Sequence, residues 1–185
     1  LDPAARRVLR YATVLGRSFA RASLDALLAT EGVAAVDPMM LASLEAFLEP
    51  DTEGRLRFRI GLLRKTVYEG LPFRLRMRLH REAGEAIERV AADTASHADA
   101  LALHFSVAGE HAKAWRYATL AASRAARAYA NADAARLYRL ALEAARRLPD
   151  LDPRELVEAW TERGHACRQA GMFEEALDCY RQASR

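Results

Sequence analysis

The sequence predicts a mainly α chain: a small helical module closed by a β-hairpin, then a stack of short-looped helix pairs. Three observations predict it. Asp-Pro pairs stand at Asp2-Pro3, Asp37-Pro38 and Asp152-Pro153, each placing a capping carboxylate before a proline that suits the first helical turn. A single stretch alternates with period two, Leu56, Phe58 and Ile60 against Arg55, Arg57 and Arg59. After Gly61 the apolar residues return to helical spacing in alanine-rich segments.

The first helix is expected from about Pro3 to Gly16, with Ala5, Val8, Ala12 and Leu15 on one face. A second covers roughly 22–30. The third starts at Pro38 and buries Leu41, Leu44 and Leu48. Pro50-Asp51-Thr52-Glu53-Gly54 is turn chemistry, so the arginine-studded stretch after it reads as the second arm of a hairpin. Three helices and a hairpin make a winged-helix-like module, placed at 1–71. Pro72 opens a long connecting helix over 72–95, with Leu75, Leu79, Ala83, Ala86 and Val90 at 4,4,3,4 spacing. Helices are then expected at about 96–108, 111–128, 131–147, 154–170 and 173–184, with Glu155 at a capping-box position in the fourth.

Within 96–185 the strongest motif is Trp160-x2-Arg163-Gly164-x2-Cys167, Gly171, then Ala176-x3-Tyr180-x2-Ala183. These are the spacings of a tetratricopeptide repeat, with Arg163 in place of leucine and Cys167 in place of tyrosine. Gly164 and Ala176 are small where two antiparallel helices cross closely, and Trp160 and Tyr180 fill the gaps beside the crossing. Leu101, Phe105, Gly109 and Ala114 echo the scheme, as do Ala134, Tyr138 and Ala141. The fold class is therefore a winged-helix-like module followed by a tetratricopeptide-like α-solenoid. The last repeat reads as incomplete, and self-association through its uncapped end is an expectation. So is excision from a longer chain, because the sequence opens at Leu1 without a methionine.

Composition bounds the function. With 51% hydrophobic and 29% charged residues among 185, the chain is globular. No window approaches the roughly 18 apolar residues of a membrane span, and no secretory leader is legible. Cys167 and Cys179 offer neither a disulfide framework nor a zinc spacing, and read as buried, reduced thiols of a cytoplasmic protein. The net charge of +3 is segregated: Arg55 to Arg81 carries +8 and the remainder −5.

At Phe58 to Leu71 (FRIGLLRKTVYEGL), followed by Arg78-Leu79-His80, the sequence resembles the region after the ATPase domain in bacterial multidomain signal-transduction ATPases. Those include adenylate-cyclase-like proteins and large ATP-dependent LuxR-type regulators. The opening Val8 to Phe19 (VLRYATVLGRSF) is similar to the start of the same region. Of that family's Phe-x-His-x-Leu-x-Arg pattern, Phe58, Leu62 and Arg64 fit, while Ile60 stands where histidine is usual. The resemblance implies a relay between a nucleotide switch and repeat-based sensing.

No catalytic, cofactor-binding or metal-binding residue is assigned. The phosphate-binding loop, the nucleophile elbow and the His-Glu-x2-His motif are all missing from the sequence. His97, His104 and His111 are seven apart, and seven residues advance a helix about 10 Å, too far to share one ion; they read as interfacial or surface side chains. A third helix running from Asp37 to Glu49 would carry Glu45 and Glu49 and no cation, which argues against reading DNA. The candidate interaction patch is Arg55, Arg57, Arg59, Arg64, Lys65, Arg74, Arg78 and Arg81, suited to an acidic protein partner such as another domain of the same polypeptide. The same arginines read equally as a solvated face. In the repeats, Glu158, Thr161, Glu162 and His165 at the inner positions favour a basic or apolar ligand over a carboxylate, and Trp115 and Trp160 read as core. The leading function is a non-catalytic regulatory interaction module; the alternatives are a DNA-contacting regulator fragment and a small-molecule-sensing repeat domain.

Overall fold

The computed structural model describes residues 2–30 and 32–185; Leu1 and Glu31 lie outside the described residues. Two compact units meet in sequence between Val90 and Ala91. Ten α-helices, one 3-10 turn and three short strands are present among the described residues.

The first unit runs α1 (Pro3–Val14), β1 (Ser18–Phe19), α2 (Arg21–Thr30), α3 (Pro38–Leu44), β2 (Leu48–Pro50), β3 (Leu56–Phe58), α4 (Gly61–Glu69) and α5 (Phe73–Val90). Asp2 and Asp37 cap as their sequence context demands, each carboxylate accepting an N–H three residues on at 2.7 Å. The sheet is antiparallel in the order β1-β3-β2. Strand β1 is an addition to the expected hairpin, and Pro50 is tolerated because β2 is an edge. Phe58 from the central strand is fully buried beside Phe19, ring centroids 6.0 Å apart. It anchors a core shared with Val8, Leu24, Leu27, Leu44, Leu48 and Leu79, and burying one such side chain contributes about 1.5–3 kcal/mol. Helix α5, whose residues the sequence assigns to a connecting segment, packs against α1 and α2 in this unit.

Three expectations are corrected here. Helix α3 ends at Leu44, not beyond Leu48, because Phe47 N–H turns back to the Leu44 carbonyl and Leu48 then pairs with Phe58 across the hairpin. Leu48 is buried as expected, but from a strand. Glu45 and Glu49 therefore leave the helix, and α3 itself carries no charged side chain. Ile60 does not continue the strand's inward alternation: pairing stops at Phe58, and Ile60 caps α4 with its side chain 57% exposed. Val90 likewise leaves the buried stripe of α5, at 70% exposure.

The second unit holds the 3-10 turn Thr94–His97 and helices α6 (Ala98–Ala108), α7 (His111–Arg127), α8 (Asn131–Ala145), α9 (Pro153–Gln169) and α10 (Phe173–Ala183). Each helix packs on the next along the chain. Facing residues are mostly alanine, among them Ala114, Ala118 and Ala122 on α7 and Ala134, Ala141 and Ala145 on α8.

Three of the interhelical turns share one hydrogen-bond pattern. Residues Gly109, Tyr129 and Gly171 have φ of +77°, +59° and +78°, and the N–H of the following residue returns to the carbonyl five before it at 2.8–3.0 Å. Two of these positions are glycine, which adopts a left-handed conformation freely; the third is Tyr129, with its side chain 84% exposed. Tyr129→Gly is expected to raise unfolding stability by about 1 kcal/mol in urea melts. Gly171→Tyr should lower it by a similar amount.

Candidate functional site

Helices α7 and α9 form the two walls of a groove floored by α8, with a volume of about 560 Å³. Trp115, Arg116, Thr119, Leu120 and Ser123 project from α7; Glu155, Glu158, Ala159 and Glu162 project from α9; Tyr138 rises from α8. Helical spacing explains both walls, since positions three and four apart share a face. Glu158 and Glu162 were anticipated as inner residues, whereas Thr161 and His165 do not line the groove. His165 instead approaches Glu162 at 3.7 Å along the same helix and stacks edge-on to Tyr180.

Trp115 corrects a sequence expectation: it is half-buried and lines the groove instead of sitting in the core. Trp160 is also half-buried, with the Arg163 guanidinium 5.7 Å from its ring. Glu155 lines the groove, while the cap of α9 is made by the Asp152 carboxylate accepting from Arg154 N–H at 2.8 Å. In the sequence Tyr138 reads only as an echo of a packing position. Its place beneath two carboxylates could not be read from spacing alone, because it depends on the angle at which α8 meets α9.

The electrostatics of the groove are acidic. Glu158 and Glu162 stand at i,i+4, where like charges destabilise a helix by about 0.2–0.5 kcal/mol. Burial first, then the charges of Glu162 and Glu158, push the Tyr138 hydroxyl up from 10.0 to about 12, and Arg127 works weakly against them.

The last helix pair is fixed by a close crossing. A Cβ built on Gly164 would lie 2.6 Å from Cε1 of Tyr180, so the glycine is required by the tyrosine ring packed on it. Ala176 is buried, Ala183 is half-buried, and Gly171 makes the left-handed turn between the helices. Cys167 and Cys179 are buried free thiols in mutual contact. Burial pushes both up, Cys179 to about 11, and the Arg163 charge only partly opposes it. Such thiols are poor nucleophiles at neutral pH. Phe173 and Leu177, one turn apart on α10, are exposed on the repeat expected to self-associate.

The basic block is largely engaged in holding the first unit together. Glu49 sits between Arg57, at 2.5 Å, and Arg59, at 2.9 Å, and the two arginines, Arg57 foremost through its hydrogen bond, hold its carboxyl below the usual range. Arg59 also donates to the Glu45 carbonyl at 2.7 Å, and Arg55 to the Ser18 carbonyl at 3.0 Å. Arg64 donates to the Thr13 carbonyl at the end of α1, at 2.9 Å, and lies 5.9 Å from the Tyr68 ring. Lys65 and Arg78 face Glu69 and Glu82 one turn along their own helices. Arg74, Arg78 and Arg81 are exposed on α5.

Among the three spaced histidines, His104 is buried in the second unit, and burial pushes its imidazole down to about 4. Among the described residues no group of three or more His, Cys, Asp or Glu is placed to hold a metal. No helix among them is long and apolar enough to cross a membrane.

With this geometry in view, residues 157–184 match the tetratricopeptide repeat family. No curated protein and no solved structure matches the chain. The α9–α10 pair is thus a tetratricopeptide repeat, a type of helical pair that mediates protein interaction, packed on α8.

Two outcomes test the site's construction. Gly164→Ala is expected to destabilise by about 1–3 kcal/mol through overpacking on Tyr180. In a Tyr180→Ala background the same change should stabilise by up to about 1 kcal/mol, the helix preference for alanine over glycine; chemical denaturation of the four proteins reads the reversal. For Tyr138, a raised folded value means a contribution fully present below pH 10 and lost as pH rises through about 12. Tyrosinate absorbance should show one late-titrating tyrosine, and Glu158→Gln/Glu162→Gln should bring it closer to the others.

Proposed function

We propose that this chain is a non-catalytic regulatory interaction module of a larger bacterial signalling ATPase, working in the cytoplasm by docking between domains. The groove between α7 and α9 is the observation that carries this reading: it joins an apolar and aromatic floor to hydrogen-bonding and charged walls on adjacent repeat helices. The matched repeat supports protein interaction as the output of the second unit.

For the first unit, the winged-helix-like assignment rests on three helices followed by an antiparallel hairpin, together with the resemblance across Phe58 to Leu71. In this reading the unit faces the nucleotide switch and the repeats face the sensed partner. Arg74, Arg78 and Arg81, exposed on α5, are the cations this reading turns toward an acidic domain, and Arg78 also pairs with Glu82; Arg57, Arg59 and Arg64 are engaged with carboxylate and carbonyl partners. Those commitments also weigh against the DNA-contacting alternative: the wing arginines are tied to Glu49, and α3 offers no cation to a phosphate backbone.

The residues encoded upstream provide the first test, since an ATPase parent requires a Gly-x4-Gly-Lys-Ser/Thr loop there. With that domain purified, Arg74→Glu/Arg81→Glu should weaken its docking to this chain by roughly tenfold in calorimetric titration. Unaltered docking would remove the α5 arginines from the interface.

A further inference from the structure

The groove between α7 and α9 has a charge that selects its occupant. Glu155, Glu158 and Glu162 lie along one wall over two turns of α9. Glu155 alone has a role inside the helix, as an acid in the first turn near the positive end of the dipole. Glu158 and Glu162 have none of that kind. They stand one turn apart with the same charge, and Glu162 has only the His165 ring on the far side, at 3.7 Å. Across the groove, Arg116 is the one cation lining the opposite wall, and its guanidinium lies 5.4 Å from the Tyr117 ring.

Beside these charges the groove presents apolar and aromatic surface, from Trp115 and Leu120 on the α7 wall, Ala159 on the α9 wall and the Tyr138 ring on the floor. Two adjoining features of different chemistry therefore converge on one ligand. The carboxylates call for cations, and the rings and Leu120 call for an aliphatic or aromatic side chain between them.

We propose that the groove binds a cationic peptide segment, with two arginine or lysine side chains about 6 Å apart and an apolar side chain beside them. The separation follows from the axial rise between Glu158 and Glu162, four residues at about 1.5 Å each. Same-face residues of an extended segment, about 6.6 Å apart, match it. The cations neutralise the like-charge pair Glu158 and Glu162, and the apolar residue covers Trp115. An anionic chain terminus is disfavoured by the same carboxylates. This proposal rests on the reading of the chain as an interaction module and names the chemistry of its partner.

The experiment uses the whole chain and a fluorescent, amidated peptide alternating leucine with arginine, followed by anisotropy. A counterpart with glutamate for arginine and the polyamine spermine are the comparison ligands. The arginine peptide should bind at least roughly tenfold more tightly than either, and its binding should weaken with added salt. Glu158→Gln/Glu162→Gln should cost it roughly tenfold while leaving thermal stability equal or higher, since a repulsion is removed. Trp115→Ala should weaken the peptide but not change its salt dependence.

Equal affinity for the glutamate peptide, no binding of the arginine peptide, or full affinity in the double glutamine variant would overturn the proposal. Spermine binding as tightly as the peptide would also overturn it, by showing that charge alone is recognised. Each of these outcomes is read without the ATPase domain, so it is separable from failure of the α5 docking measurement.

Discussion

Close approach of helix backbones is the constraint on which the second unit depends. Alanine and glycine at the crossings allow it: Ala118 and Ala122 on α7, Ala134 and Ala141 on α8, Ala166 and Gly164 on α9, and Ala176 on α10 are all buried. A methyl group buries little area, so no single contact is worth much, and stability comes from the continuity of the interfaces. Phe105 and Tyr117 stack within the α6–α7 interface, while other large side chains lie beside the crossings. Tyr180 lies against Gly164, and Trp115 and Tyr138 are turned toward the groove. The groove is therefore a by-product of how the helices pack.

The first unit solves a different problem, that of placing arginines around a three-stranded sheet without self-repulsion. Asp51 builds the hairpin turn, accepting N–H bonds from Glu53 and Arg55 at 2.9 Å and the Ser18 hydroxyl at 2.6 Å. Glu49 then receives the guanidinium groups of Arg57 and Arg59 from the neighbouring strand. Exposed pairs of this kind are individually worth little, about 0–1 kcal/mol. Their effect is to convert much of a strongly basic stretch of sequence into local pairings, so the linear charge count overstates the free positive surface.

Helical periodicity and punctuation were legible because they depend on neighbours in sequence. The Asp-Pro starts and the glycine at 171 place helix ends within a residue or two, and the repeat motif survives two departures at Arg163 and Cys167. What escaped was set by partners distant in sequence. Leu48 fits a helical stripe as well as a strand, and only its pairing with Phe58 decides between them. Glu49 looks like a helical acid until the hairpin brings Arg57 beside it. Trp115 has a core residue's composition, and its exposure to the groove depends on α9, some forty residues onward. The acidic wall is legible in helical phase at Glu158 and Glu162, with Glu155 on the same face, but Tyr138 beneath it is not.

Helix α8 packs on both α7 and α9, so the width of the groove is governed by a third element lying beneath it. The spacing of the two walls is thus set at the alanine-lined seams that α8 makes with each of them, so the size of the side chains in those seams fixes what fits between Trp115 and Glu158.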